Sequence, residues 1–191
     1  MRIVSSVLLL MVSFLLHGCQ QYIPQPNPTL SVSSQSFQDE NGLRLVNSSY
    51  STAASNQKLL FYFRSEKQLD VSETRQILVK IVNELFYTNK TNVSLRDLEI
   101  WISFLDKKGK HPSKEYIGFA TLSDGNLCYR HYDKDRFPYE KFCNYHNETL
   151  EEAIQLTKEL FSSSKSDHFM LSELEILAKQ EKIQPTICMP I

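Results

Sequence analysis

Tyr116-Ile117-Gly118-Phe119-Ala120-Thr121-Leu122 runs into Ser123-Asp124-Gly125-Asn126 and then into Leu127-Cys128-Tyr129-Arg130-His131-Tyr132-Asp133. Two runs rich in aromatic and aliphatic residues flank an Asp-Gly pair. That pair favours the tight turn with positive φ at both centres, which joins antiparallel strands. The run therefore predicts a β-hairpin, with strands at 116–122 and 127–133.

Upstream, Leu98, Ile100, Ile102 and Phe104 alternate with Glu99, Trp101 and Ser103. This period of two marks a strand with one buried face, over 98–105. Asp106-Lys107-Lys108-Gly109 is a turn. Earlier still, Leu59-Leu60-Phe61-Tyr62-Phe63 lies in a strand over 58–64, and Leu43 to Val46 forms a short one. Ser48 to Ser55 is expected to loop between them. Asp70 reads as a helix N-cap with Glu73 at the capping-box position. Ile77, Leu78, Ile81, Val82, Leu85 and Phe86 then recur at helical spacing, predicting a helix over 71–87.

Downstream, an edge strand is expected near 139–145. Thr149 and Glu152 form a second capping box, followed by a stripe of Leu150, Ala153, Ile154, Thr157, Leu160 and Phe161. A last helix is expected over 167–180, and Pro185 prevents its continuation. The order of elements predicts an α+β domain: an antiparallel sheet of about four to five strands with helices packed on one face.

The N-terminus carries an address. Arg2 is followed by an apolar run from Ile3 to Leu16, then His17-Gly18-Cys19. A positive start, a short apolar core and a small residue before a cut describe a secretory signal peptide. The run is shorter than the roughly 20 residues a spanning helix needs. Residues 1–18 are therefore expected to be a signal peptide. Residues 19–40 should form a flexible tether, with Pro24, Pro26 and Pro28 among polar neighbours, and 41–191 a single domain.

Leu16-His17-Gly18-Cys19 resembles the lipobox of bacterial lipoproteins. Leu16, Gly18 and Cys19 fit it, and His17 departs from the small or β-branched residue usual there. The resemblance implies that Cys19 becomes the new N-terminus and carries diacylglycerol and palmitate-class acyl chains. It implies a place in the cell envelope, on a membrane. Gln20 stands where an Asp would signal inner-membrane retention, which points to the outer membrane if the cell is Gram-negative. Secretion without lipid is the alternative, with glycosylation sequons at Asn47, Asn89, Asn92 and Asn147. Over residues 73–161 the chain also resembles uncharacterised small exported lipoproteins of chlamydia-like bacteria. The similarity lies in the helix Thr74–Val82, the strand Leu98–Ile102, the Asp124-Gly125 hairpin and the helix start Glu148–Ala153. That likeness implies fold and address only.

The formal net charge is −1. Loss of Arg2 leaves 20 basic against 22 acidic side chains, or −2. Such a balance lacks the basic footprint of a nucleic-acid binder. With five glycines in the chain, no glycine-rich phosphate loop is present.

The chemistry-bearing residues gather in Cys128-Tyr129-Arg130-His131 and Cys143-Asn144-Tyr145-His146. In an oxidising compartment, Cys128 and Cys143 on neighbouring strands could form a disulfide worth about 3 kcal/mol. Cys128, His131, Cys143 and His146 are also a zinc-type donor set. Against that, residues three apart on a strand face opposite ways. A thiol nucleophile with a His base uses the same residues. Cys188 is left unpaired or competes for a partner. The charge-dense run from His131 to Arg136 reads as a solvated loop or a Ca²⁺ site through Asp133 and Asp135. Trp101 lies on the polar side of its strand, packed in a second layer or exposed to a partner.

Neither a serine-hydrolase elbow nor an S-x-x-K catalytic context is present. The expected role is a non-enzymatic binding or structural module without a cofactor. Its partners would be a membrane, through the lipid, and an envelope protein, with no nucleic acid. A thiol- or metal-dependent envelope enzyme built on 128–146, or a small-ligand carrier, is the alternative.

Overall fold

The computed structural model describes residues 31–53, 56–87, 94–132, 142–158, 165–181 and 183–185. The fold is α+β, with a sheet of six strands, one more than the upper figure expected. The strands are β1 (Leu43–Ala53), β2 (Asn56–Ser65), β3 (Leu98–Phe104), β4 (Phe119–Ser123), β5 (Asn126–Tyr132) and β6 (Phe142–Thr149). They lie side by side in chain order. The α-helices are α1 (Gln35–Asn41), α2 (Val71–Tyr87), α3 (Leu150–Lys158) and α4 (Lys165–Gln180). Short 3₁₀ turns occupy Ser31–Ser33 and Leu95–Asp97.

Every neighbouring pair is antiparallel except β2–β3, which is parallel. Parallel neighbours need a crossover, and α2 lies in it. The capping box forms as the sequence implies. The Asp70 amide donates to Glu73 Oε2 at 3.0 Å, and the Glu73 amide donates to Asp70 Oδ1 at 2.9 Å. Leu78, Ile81, Val82 and Leu85 on α2 are wholly buried against Phe61, Phe63, Ile100 and Ile102 of the sheet. Leu150, Ala153 and Ile154 of α3 and Leu171, Leu174 and Ala178 of α4 complete the same core.

Three expectations change. The Ser48–Ser55 stretch is mostly strand: β1 runs to Ala53 and pairs with β2 from Leu43↔Ser65 to Ala53↔Asn56. Serine and threonine are tolerated there because β1 is an edge strand with exposed positions such as Val46 and Tyr50. The end of the segment read as a tether also folds. Ser34 caps α1 by accepting from the Phe37 amide at 3.2 Å, and Val32 is buried in the core. Buried Gln38 then accepts from the Leu45 amide at 2.6 Å, beside the register shift between Leu45 and Asn47. The hairpin strand begins at Phe119 rather than Tyr116, because Ile117 instead donates its amide to Leu69 O at 2.8 Å.

The Asp-Gly turn is as read. Asp124 and Gly125 have φ of 49° and 73°, both in the left-handed region the turn demands. Among the described residues, no helix is long and apolar enough to cross a membrane.

Candidate functional site

The most unusual chemistry in the core is a carboxylate on the helix-covered face of β6. Register sets Glu148 opposite Leu127, and His146 opposite Tyr129. Leu127 and Tyr129 point into the core, so Glu148 is carried inward with them. Its side chain is 4% exposed. Arg75 extends from α2 between the stripe residues Val71 and Leu78, and its Nε donates to Glu148 Oε1 at 2.8 Å and Oε2 at 3.0 Å. The Tyr129 hydroxyl donates to Oε1 at 2.5 Å. His146 Nε2 lies 3.5 Å from Oε2, with its ring stacked on Tyr129 at 5.7 Å between centroids.

The electrostatics follow from this closure. Burial works against the charge of Arg75, but the Glu148 carboxylate outweighs it and holds the guanidinium above its ordinary value. Burial first, and then the negative charge of Glu148, push the Tyr129 phenol well above its usual range. Tyr129 is therefore a neutral donor. Both oxygens of Glu148 are engaged from the protein side, which suits a satisfied internal ion pair more than a free general base. Half-exposed His146 is the member of this group that reaches solvent.

The sequence-predicted residues are dispersed. Cys19 lies outside the described residues, as do Asp133 to Arg136. Cys128 is on the opposite face of β5 from Tyr129. It is buried there and disulfide-bonded. Register sets Cys128 opposite Asn147, while Cys143 stands opposite His131; the side chain of Cys143 is outside the described residues. His131 Nδ1 is 2.9 Å from Tyr116 O, and its ring meets Tyr145 at 3.9 Å. Cys128 and His131 thus face apart, as strand alternation requires. Among the described residues, no three His, Cys, Asp or Glu side chains converge in a way that could hold a metal.

Trp101 is 38% exposed and stands edge-on to Phe119 at 6.4 Å. The Arg130 guanidinium lies 5.9 Å from the centroid of Phe119. α4 packs on the other side of the sheet, so Trp101 does not lie beneath it.

The sequence reading missed Arg75, Tyr129 and Glu148. Arg75 interrupts the buried stripe of α2, and that was the one signal available. The inward turn of Glu148 is set by its pairing with Leu127 on the neighbouring strand, which local pattern does not reveal. No family model matches the chain, and no curated protein or solved structure matches it.

Proposed function

We propose that the protein is an exported lipoprotein, anchored in the cell envelope by acyl chains on Cys19. Its α+β domain acts there as a non-enzymatic binding or structural module for another envelope protein. The observation that carries this reading is the arrangement of Arg2, the apolar run Ile3–Leu16 and Leu16-His17-Gly18-Cys19. Two or more acyl chains give stable anchoring, since each buried CH₂ adds about 0.8 kcal/mol.

Further observations fit this reading. Val32 is already in the core, so residues 20–30 are what separates Cys19 from the fold. Exposed Val46, Tyr50 and Trp101 offer apolar contact to a neighbour. The internally satisfied Glu148 group supports a structural role for the domain's main buried charge.

The test is metabolic labelling with an alkyne-bearing palmitate analogue, read by the intact mass of the purified protein. The wild type is expected to carry label and a diacylated or triacylated Cys19, and Cys19→Ala to lose both. An unmodified Cys19, or glycans at Asn47 or Asn147, would overturn the anchor.

A further inference from the structure

The sheet face turned away from the helices passes from aromatic to basic towards one end. Register sets a row across it, with Arg64 beside Ser103, Ser103 beside Phe119 and Phe119 beside Arg130. Two residues inward, about 7 Å along the strands, Trp101 lies between Tyr62 and Thr121. Trp101 is the exposed aromatic of this face, edge-on to Phe119.

Outward from that row comes the connection from β3 to β4. Residues 107–114 read Lys-Lys-Gly-Lys-His-Pro-Ser-Lys, with four lysines and no acid. The preceding Asp106 shapes a tight turn. Its Oδ1 accepts from the Lys108 amide at 2.9 Å and the Lys110 amide at 2.7 Å, and its own amide donates to Lys110 O at 2.9 Å. Gly109, at φ 73°, completes the turn, and nothing lies within 4 Å of where a Cβ would stand. The turn is thus held from within, its tip faces open space, and Lys107, Lys108 and Lys110 are all exposed.

Two contacts fix this loop to the face that carries Trp101. Arg64 Nη2 donates to Asp106 O at 3.4 Å, and the His111 ring stacks on Tyr132 at 4.0 Å. Register and strand alternation put both Arg64 and Tyr132 on the side of Trp101. The chain also enters the sheet at this end. Leu43, which follows α1 and Gly42, pairs with Ser65, and Ser65 pairs with Phe104, the last residue of β3 before the loop.

We propose that this face docks on an anionic phospholipid surface, with Lys107, Lys108 and Lys110 among the headgroup phosphates and Trp101 at the level of the headgroups. Charge complementarity selects the occupant: each lysine strengthens attraction to such a surface about fivefold, and tryptophan favours the boundary between headgroups and acyl chains. The choice of a lipid surface over another polyanion rests on the anchored reading of the protein. Val46 and Tyr50, on the edge strand β1, remain for a protein neighbour.

Trp101 is the single tryptophan of the chain, so its fluorescence reports this face alone. The purified full-length protein is mixed with vesicles of phosphatidylcholine, or of phosphatidylcholine with phosphatidylglycerol, carrying brominated acyl chains that quench tryptophan. Quenching is expected on the anionic vesicles, strongest at low ionic strength and lost at high salt. The triple variant Lys107→Gln, Lys108→Gln, Lys110→Gln keeps Asp106 and Gly109, and is expected to dock on the order of a hundredfold more weakly. Flotation with the neutral vesicles reports the acyl anchor separately: a protein that fails to float there lacks the anchor, whatever Trp101 does on the anionic ones. Unquenched Trp101 on anionic vesicles, equal quenching on neutral ones, or a triple variant quenched like the wild type would overturn the proposal. So would a Trp101 emission shift with polyglutamate and none with anionic vesicles, which would assign the face to an acidic protein.

Discussion

Glu148 places a carboxylate in the interior, with its side chain 4% exposed. Its carboxylate is removed from water, and its charge is met by Arg75 and the Tyr129 hydroxyl. Removing one member of such a pair leaves the other buried and unpaired, which costs about 3 kcal/mol. Glu148→Gln is therefore expected to lower the unfolding free energy measured in urea by that much, and Tyr129→Phe by about 2 kcal/mol through one charge-assisted bond. Arg75→Met combined with Glu148→Leu is expected to recover most of the loss, because no unpaired charge remains. A double variant as unstable as the two single losses added together would show that the ions matter beyond mutual compensation. Tyr129 also gives a pH signature. Its folded value is raised, so its contribution is fully present below the unfolded tyrosine range and is lost as pH rises through the folded value. Ultraviolet titration is expected to show one phenol that ionises only after its neighbours and together with alkaline unfolding.

At the scale of elements, β6 and α3 join without a loop. Thr149 is both the last residue of the strand and the cap of the helix. Its amide donates to Glu152 Oε2 at 2.7 Å, and its Oγ1 accepts from the Glu152 amide at 3.2 Å. The Leu150 amide is taken up by Gly125 O at 2.9 Å, which ties the helix start to the hairpin turn. Thr149→Ala is expected to cost about 1 kcal/mol in thermal or urea unfolding, with Thr149→Ser close to wild type. Equal loss in both variants would point to the methyl group rather than the hydroxyl. Both capping boxes and the Asp-Gly turn were legible in the sequence because each is a contact between residues three or fewer apart. Trp101 was legible as the outward position of an alternating strand. The length of β1 was not, because its serines read as loop and only pairing with β2 decides otherwise. The Arg75–Glu148 pair, 73 residues apart in sequence, depends on crossover and register together. Local patterning carries neither.

Across the whole molecule, strands in chain order make most contacts local, and α2 supplies the one long crossover. The C-terminal helix must then be fastened to a core that is otherwise complete. Part of this is apolar, through Leu171, Leu174 and Ala178. Part is ionic: Glu175 on α4 takes Lys158 of α3 and, at 2.5 Å, Lys179 of its own helix. Hydrogen bonds from these lysines hold the Glu175 carboxyl down to about 2. Just past the C-terminus of α4, Glu181 accepts from the Leu95 amide at 2.9 Å and from Ser94 at 2.8 Å, closing the helix against the 3₁₀ turn before β3. A depressed carboxylate stabilises the fold above its unfolded value, near 4.5, and that contribution disappears as pH falls towards 2. The lysines are partly in solvent, so the net effect is about 1 kcal/mol. Glu175→Gln is therefore expected to lower the melting temperature at pH 7 and to narrow its gap from wild type progressively between pH 4.5 and pH 2. Differential scanning calorimetry at pH 7, 4 and 3 measures this. Melting curves that stay the same distance apart at all three values would mean that the α3–α4 clasp contributes nothing through charge, and that apolar packing alone holds the last helix.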